Sequence, residues 1–298
     1  MIALLLIRFP AARAQNETQP AAKGAASTAE SPPKEKTKKP SPARLTFPPA
    51  HHRWARFQPG AWRELRITTE TFDNEGKVVS RSVTTQQEIL QGVNEEDYVF
   101  DVQATVDLSG KHIAGDWKSR VLQLVTDSAG QIVDTQQLDG ASLSVDGRLV
   151  DCQVWKIRYR EDARTLVDRI YYAPDLFPYI LQRETSEAGE KASDQPPTER
   201  TEKVIALAVP YVVGGRLATC SCIQTIRGGA KGNTVRVAFE SDEVPGGEVA
   251  AWSTDYDDQG RRIQWSVQEL LSYGKTPPEG SRKRFRGLRG RARRRSRP

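Results

Sequence analysis

Residues 147–160, GRLVDCQVWKIRYR, contain the two patterns that decide the fold. In the second half of this stretch, apolar Trp155, Ile157 and Tyr159 alternate with basic residues. Successive side chains of a strand point to opposite faces, so a period of two predicts a β-strand with one buried face. The first half recurs further along the chain as GRLATC at 215–220. Such repetition predicts paired copies of one supersecondary unit.

The same alternation extends over much of the chain, at 100–108, 235–239 and 263–267. Three Asp-x-x-Gly turns, with glycines at 76, 130 and 260, are each followed by strand-like residues, which is typical of hairpins closed by a left-handed glycine. Helical spacing is weak and short. We therefore predict an all-β protein with minor α content, built as an antiparallel sheet from two related units at about 142–186 and 210–273.

Both ends of the chain differ from this central domain, which we place at 51–275. Residues 1–14 contain an apolar run and then Ala12-Arg13-Ala14, the small-x-small form of a cleavage site. We interpret them as a signal peptide whose start lies upstream of Met1, because no basic residue precedes the apolar run. Residues 15–50 are rich in Pro, Ala and Lys and are predicted to be a disordered linker. The protein is thus expected to be exported, to the periplasm or the extracellular space.

The positive charge of the chain is concentrated in its C-terminal tail, 276–298. The net charge is +6, but residues 282–298 contain ten cations, without which 34 basic residues face 38 acidic ones. A flexible polycation binds polyanions by counterion release, so the tail is predicted to bind an anionic envelope surface, unless it has no specific role. The cations are Arg282, Lys283, Arg284, Arg286, Arg289, Arg291, Arg293, Arg294, Arg295 and Arg297.

Three cysteines, Cys152, Cys220 and Cys222, are candidates for a disulfide. Cys152 and Cys220 occupy matching repeat positions, and exported proteins commonly form disulfides. We expect a bridge from Cys152 to Cys220 or Cys222. Buried free thiols are the first alternative, and a metal or redox site is the second, which the usual need for four ligands disfavours.

The sequence contains no catalytic motif, neither a nucleophile elbow nor a metalloprotease helix nor a phosphate-binding glycine loop. We therefore predict a protein that is not an enzyme and has no cofactor. An aromatic cluster, Tyr171, Tyr172, Phe177 and Tyr179, is the remaining candidate for a site. It could line an apolar ligand groove, or pack under the sheet as aromatic residues do in any core.

The stretch FESDEVPGGEVA at 239–250 continues through a turn at 257–261 to Val267-Gln268-Glu269-Leu270. It resembles a pattern in uncharacterised secreted bacterial proteins related to the outer-membrane lipoprotein carrier group, and Phe177-Pro178-Tyr179 is a weaker copy. The resemblance covers roughly residues 142–273. It implies a curved antiparallel half-barrel that holds a lipid or lipidated chain in its concave face.

The sequence thus predicts an exported, non-enzymatic binding protein that holds an apolar or envelope ligand in a curved sheet. The alternative is a structural or protein-interaction module of the cell envelope that binds no small ligand.

Overall fold

The computed structural model describes residue 45 and the ranges 47–108, 110–188, 199–229 and 231–276, which all belong to one compact unit. The expected signal peptide, most of the expected linker and the cations of the basic tail lie outside these residues. No helix in the described part of the chain has the length and hydropathy of a membrane span.

The described residues form one antiparallel sheet of fourteen strands and a single 3₁₀ turn at Pro49–His51. The first five strands are β1 (Trp62–Phe72), β2 (Val78–Val93), β3 (Asp97–Leu108), β4 (Lys111–Ala114) and β5 (Lys118–Gln123). The next five are β6 (Gln131–Val145), β7 (Arg148–Glu161), β8 (Arg164–Tyr172), β9 (Ile180–Glu187) and β10 (Glu199–Val213). The last four are β11 (Arg216–Gly229), β12 (Gly232–Glu240), β13 (Glu248–Tyr256) and β14 (Arg262–Gly274).

The strand order is β4-β3-β2-β1-β14-β13-β12-β11-β10-β9-β8-β7-β6, with β5 pairing β3 beside β4. The chain starts at β1, reaches one edge of the sheet at β4 and β5, and crosses to the opposite edge at β6. From β6 it returns as a meander until β14 pairs β1. Each neighbouring pair along the path is sequential except β1 with β14.

The crossing from β5 to β6 forces the sheet to curve. Thirteen strands side by side would separate the two edges of a flat sheet by about 58 Å. The crossover segment, residues 124–130, is short enough that an extended chain spans only about 27 Å from Gln123 to Gln131. The sheet is therefore curved but not closed, which confirms the predicted curved antiparallel architecture.

The concave face is filled by two segments that are not strands. The inner segment, residues 47–61, contributes Phe47 to a cluster on the β7–β9 side and Trp54 to a cluster on the β2–β3 side. The crossover segment does the same, with Val125 in the first cluster and Leu124 in the second. Burial of these side chains joins the two arms of the sheet through a shared core.

Several expectations need correction. Leu45 and Phe47, which lie in the expected linker, are 6% and 8% exposed, so the packed domain begins before His51. Gly130 does not close a hairpin, because it ends the crossover segment, whereas Gly76 and Gly260 have the expected left-handed backbone. The described residues contain no α-helix; the segments with helical spacing, 166–171 and 267–271, lie in β8 and β14.

The strands β6–β9 and β10–β13 have corresponding bounds. Each strand of the first set has a counterpart in the second: β6 corresponds to β10, β7 to β11 and β8 to β12. In each of these pairs the two first residues, and likewise the two last residues, are separated by the same number of residues along the chain. The first residues of β9 and β13 are separated by that number too. The irregularity between Leu138 and Ala141 in β6 corresponds to that between Ala206 and Val209 in β10. The GRL stretches at 147–149 and 215–217 both lie at hairpin tips, between β6 and β7 and between β10 and β11.

Candidate functional site

An open cavity of about 700 Å³ lies on the concave side of the sheet, between the crossover segment and strands β7–β11. Its lining is polar and rich in arginine. The charged residues are Arg53, Arg120, Asp127, Glu161, Arg164, Asp168, Arg183, Arg200, Glu202 and Arg227. Six guanidinium groups against four carboxylates give the lining a formal excess of two positive charges.

Asp127 anchors the inner wall of this cavity. Its Oδ1 accepts hydrogen bonds from His52 Nε2 at 3.1 Å and from the Tyr98 hydroxyl at 2.9 Å, and its Oδ2 accepts from Arg53 Nη2 at 2.9 Å. Burial raises the pKa of the Asp127 carboxyl, but the charge of Arg53 and the His52 hydrogen bond outweigh burial and hold that pKa well below its usual range. The carboxylate therefore stays ionised and fixes the inner segment to the crossover segment.

His52 is held in one tautomer by its surroundings. Its Nδ1 accepts hydrogen bonds from the backbone N–H groups of Trp54 and Ala55, both at 3.1 Å. Nδ1 is therefore unprotonated, and Nε2 carries the hydrogen that is donated to Asp127. This geometry makes His52 a structural connector rather than a base that faces the cavity.

The floor of the cavity contains a buried arginine–aspartate pair. Arg183 donates from Nη1 to the Thr126 carbonyl at 3.0 Å and from Nη2 to the Val125 carbonyl at 2.9 Å, while its Nε lies 3.9 Å from Asp168 Oδ2. Asp168 Oδ1 accepts from the Thr185 hydroxyl at 2.7 Å. Burial raises the pKa of Asp168, although Arg183 opposes that shift. This pair holds the crossover segment against β8 and β9.

Glu240 is a buried carboxyl behind the cavity, close to the inner segment. Its Oε1 lies 3.5 Å from Arg53 Nη1, and Glu248 is its partner across β12 and β13. Burial raises the pKa of Glu240 to about 7, although Arg53 opposes the shift. Its ionisation therefore changes near neutral pH, unlike that of Asp127.

The mouth of the cavity has three arginines that make no ion pair within the described part of the chain: Arg120, Arg164 and Arg227. They come from three separate strands, β5, β8 and β11, and all three are exposed. The other three arginines are already compensated, since Arg53 pairs with Asp127, Arg183 with Asp168, and Arg200 with Glu202 at 2.6 Å. The fourth carboxylate of the lining, Glu161, is opposite Arg164 across β7 and β8. The positive charge that remains available, a formal excess of two, is therefore at the mouth.

Guanidinium groups bind carboxylate, sulfate and phosphate through paired N–H donors in a fixed plane. Three guanidinium groups without an ion pair, with one carboxylate among them, form an environment around the open cavity that favours an anionic ligand. Among the described residues there is no group of three His, Cys, Asp or Glu side chains arranged to hold a metal ion.

The expected aromatic groove is occupied by the chain itself. Tyr172 packs on Phe47 with ring centroids 4.9 Å apart, and His51 stacks on Tyr179 at 4.1 Å. Phe177 lies beside Arg56, and Tyr171 packs against the core near Cys152. The cavity that remains there is about 50 Å³, far below the 300–1,000 Å³ or so of a typical ligand site. These aromatic residues therefore pack in the core, which was the second alternative expected from the sequence.

The three cysteines are buried free thiols, so the expected bridge is wrong. Cys152 lies on β7, while Cys220 and Cys222 lie on β11, with β8, β9 and β10 between them. This places the two strands about 19 Å apart along the sheet, whereas a disulfide needs Cα atoms within about 7 Å. Matching repeat positions did not imply contact, because the copies lie side by side with whole strands between them.

The arginine-lined cavity was missed by sequence reasoning, although a signal for its floor exists. Asp168 falls between Leu166 and Ile170, and Arg183 follows Leu181, so both charged residues stand at the apolar phase of their strands. A charge at such a position must find a buried partner. The three arginines at the mouth give no such signal, because they stand among many exposed cations. The tail cations lie outside the described residues.

No family model matches the chain, and the search of curated proteins finds no match. The resemblance to the lipoprotein carrier group therefore stays a prediction.

Proposed function

We propose that the protein is a non-enzymatic binding protein that holds an anionic ligand in the arginine-lined cavity of its curved sheet. The observation that carries this proposal is the set of three exposed arginines without an ion pair, Arg120, Arg164 and Arg227, around one open cavity. The volume of about 700 Å³ fits a compact organic anion of a few rings. The expected export places such a ligand among the acidic components of an envelope.

An anionic ligand is favoured over the apolar ligand expected from the sequence. The aromatic residues that were to contact an apolar ligand are covered by the inner segment, and the open cavity is lined mainly by charged and hydroxyl groups. Burying an acyl chain against guanidinium groups would remove their hydration without replacing it. A ligand with carboxylate or sulfate groups exchanges water for charge-assisted hydrogen bonds instead.

We also infer that β6–β9 and β10–β13 are two copies of one four-strand unit that have diverged at the cavity. The constant sequence offset between their strand starts, and between one irregularity of β6 and one of β10, supports this inference. At that offset, the buried Asp168 and Arg183 correspond to Arg236 and Ala251, so only the first copy has the floor pair. An experimental structure tests the inference, because strand starts that do not keep the constant offset would contradict it.

Calorimetric titration of the full-length protein with a heparin-derived sulfated disaccharide tests the binding proposal. Replacing both Arg164 and Arg227 by Gln removes two exposed charges at the mouth, and we expect the affinity to fall about tenfold. The matched control replaces Arg148 and Arg216, which make no ion pair within the described residues and lie at hairpin tips at the other end of the strands. The control should bind as the unmodified protein does; equal loss in both variants, or no binding at all, would refute the proposal.

A further inference from the structure

A second basic surface lies on the outer face of β7. Lys156, Arg158 and Arg160 alternate with the buried Trp155, Ile157 and Tyr159, so the three cations share the solvent-facing side of one strand. Residues two apart on a strand are separated by about 6.7 Å. The strand therefore presents a straight row of three positive charges about 13 Å long.

The row continues across neighbouring strands. Lys156 is opposite Arg169 of β8, and Arg169 is opposite Glu184 of β9. Directly opposed residues share a face of the sheet, so Arg169 adds a fourth cation to the outer patch. The acids on this patch are loosely paired: Arg169 lies 3.8 Å from Glu184, and Arg158 lies 3.9 Å from Asp134. Both contacts are exposed, so they neutralise the patch only in part.

The outer patch adjoins the concave cavity. A second open cavity of about 590 Å³ is lined by Lys156, Arg169 and Glu184 together with Thr185 and Arg200. Thr185 and Arg200 also line the concave cavity. The two cavities therefore adjoin at Thr185 and Arg200, and the row on β7 lies next to the concave cavity.

We propose that the ligand is a linear acidic glycan, sulfated or rich in uronic acid, whose end enters the concave cavity and whose next residues lie along the outer patch. This inference rests on the proposed function, because the cavity supplies the first binding position. A small anion would use only the mouth of the cavity. A polymer with regularly spaced anionic groups would use both surfaces and release a counterion at each contact.

The described patch favours a glycan over a single-stranded nucleic acid. Proteins that bind single strands stack bases on aromatic side chains next to their basic groups. Here the aromatic residues of β7, Trp155 and Tyr159, are 7% and 4% exposed and point to the core. The outer faces of β7 and β8 present Lys, Arg, Thr and Val side chains near these cations, and the aromatic residue of that face, Tyr171, is half-buried against the cluster that contains Cys152. Such a surface recognises charge spacing without base stacking.

The test compares two probes, the heparin-derived disaccharide and an octasaccharide, on the full-length protein and three variants, one of which is the R164Q/R227Q variant of the cavity mouth. The first variant, K156Q/R160Q, removes two cations of the outer patch that make no ion pair within the described residues. We expect it to bind the disaccharide normally and the octasaccharide five- to tenfold more weakly, with the slope of log affinity against log salt reduced by about 2. The control R148Q/R216Q has the same net charge as K156Q/R160Q. It should bind both probes as the unmodified protein does.

The basic tail is common to all four proteins, so a difference between K156Q/R160Q and the control reports the outer patch. If K156Q/R160Q binds the octasaccharide as tightly as the control does, while the disaccharide still depends on Arg164 and Arg227, the glycan path is wrong and the proposed function stands. If neither probe depends on Arg164 and Arg227, the proposed function itself fails. If K156Q/R160Q loses affinity for a single-stranded oligonucleotide and for the octasaccharide to the same extent, the choice of a glycan is contradicted.

Discussion

At the scale of the residue, the hairpin glycines show how one backbone angle sets a turn. Gly260 has φ +75° and an added Cβ would meet no atom within 4 Å, so only the left-handed backbone opposes a side chain there. We expect Gly260→Ala to lower the free energy of unfolding by about 1 kcal/mol. Gly92 also has open space but no positive φ, which makes Gly92→Ala the matched control.

Urea unfolding of the two glycine variants measures the difference. Gly92→Ala should be neutral or slightly stabilising, because alanine restricts the unfolded chain. Equal stability of both variants would contradict the left-handed turn at Gly260.

Glu240 gives a second prediction at this scale, a fall in stability near neutral pH. Burial raises its pKa to about 7, while a glutamate in an unfolded chain has a pKa of about 4.3. The folded state therefore binds the proton more tightly, and stability decreases as the pH rises between these two values. We expect Glu240→Gln to lose less stability than the unmodified protein between pH 5 and pH 8, by about 1–3 kcal/mol.

Unfolding curves at both pH values for the unmodified protein and Glu240→Gln check this sign. The ionisation of Asp127 does not interfere, because its lowered pKa confines its effect to acid below about pH 4. A parallel pH dependence in the two proteins would show that Glu240 ionises normally in the folded state.

At the scale of the element, the inner segment is a structural part of the sheet's concave core. Trp54 is 3% exposed and stacks on Phe100 with ring centroids 5.8 Å apart. We expect Trp54→Ala to cost about 3–5 kcal/mol, as for other buried aromatic residues. Leu149, 79% exposed at a hairpin tip, is the control, and Leu149→Ala should stay within about 0.5 kcal/mol. Similar small changes in both variants would mean that the inner segment is not packed in solution.

The separation of β7 from β11 leads to a prediction about the thiols. With three strands between Cys152 and the other two cysteines, no bridge can connect them without rearranging the sheet. Thiol counting on the denatured, non-reduced protein should find three free thiols per chain. Finding one free thiol would restore the bridge expected from the sequence and contradict the strand order.

The strands could be predicted from the sequence, but their neighbours could not. Alternation at 155–159, 235–239 and 263–267 predicted β7, β12 and β14, because period two depends only on local geometry. The turn at Gly130 was wrong because the Asp-x-x-Gly pattern occurs there in a crossover, and only the long-range strand order distinguishes the two cases. The disulfide was wrong for the same reason, since pairing depends on distance across the sheet.

At the scale of the whole molecule, a short crossover curves a long sheet and creates the candidate site. The 124–130 connection draws together the two edges, and strands far apart in sequence then supply the arginines of the cavity. Arg120, Arg164 and Arg227 are exposed cations that no local pattern distinguishes from the chain's many others. The order of the strands brings these three arginines to the mouth of one cavity. The site was therefore not predictable from the sequence.

Hydrogen exchange of the full-length protein with and without the sulfated disaccharide tests the central claim, that the concave cavity binds an anion. We predict slower exchange at the crossover segment, at the start of β8 and at the end of β11, with no change at the hairpin tips 145–148 and 213–216. Protection limited to the hairpin tips, or unchanged exchange at saturating ligand, would contradict the account.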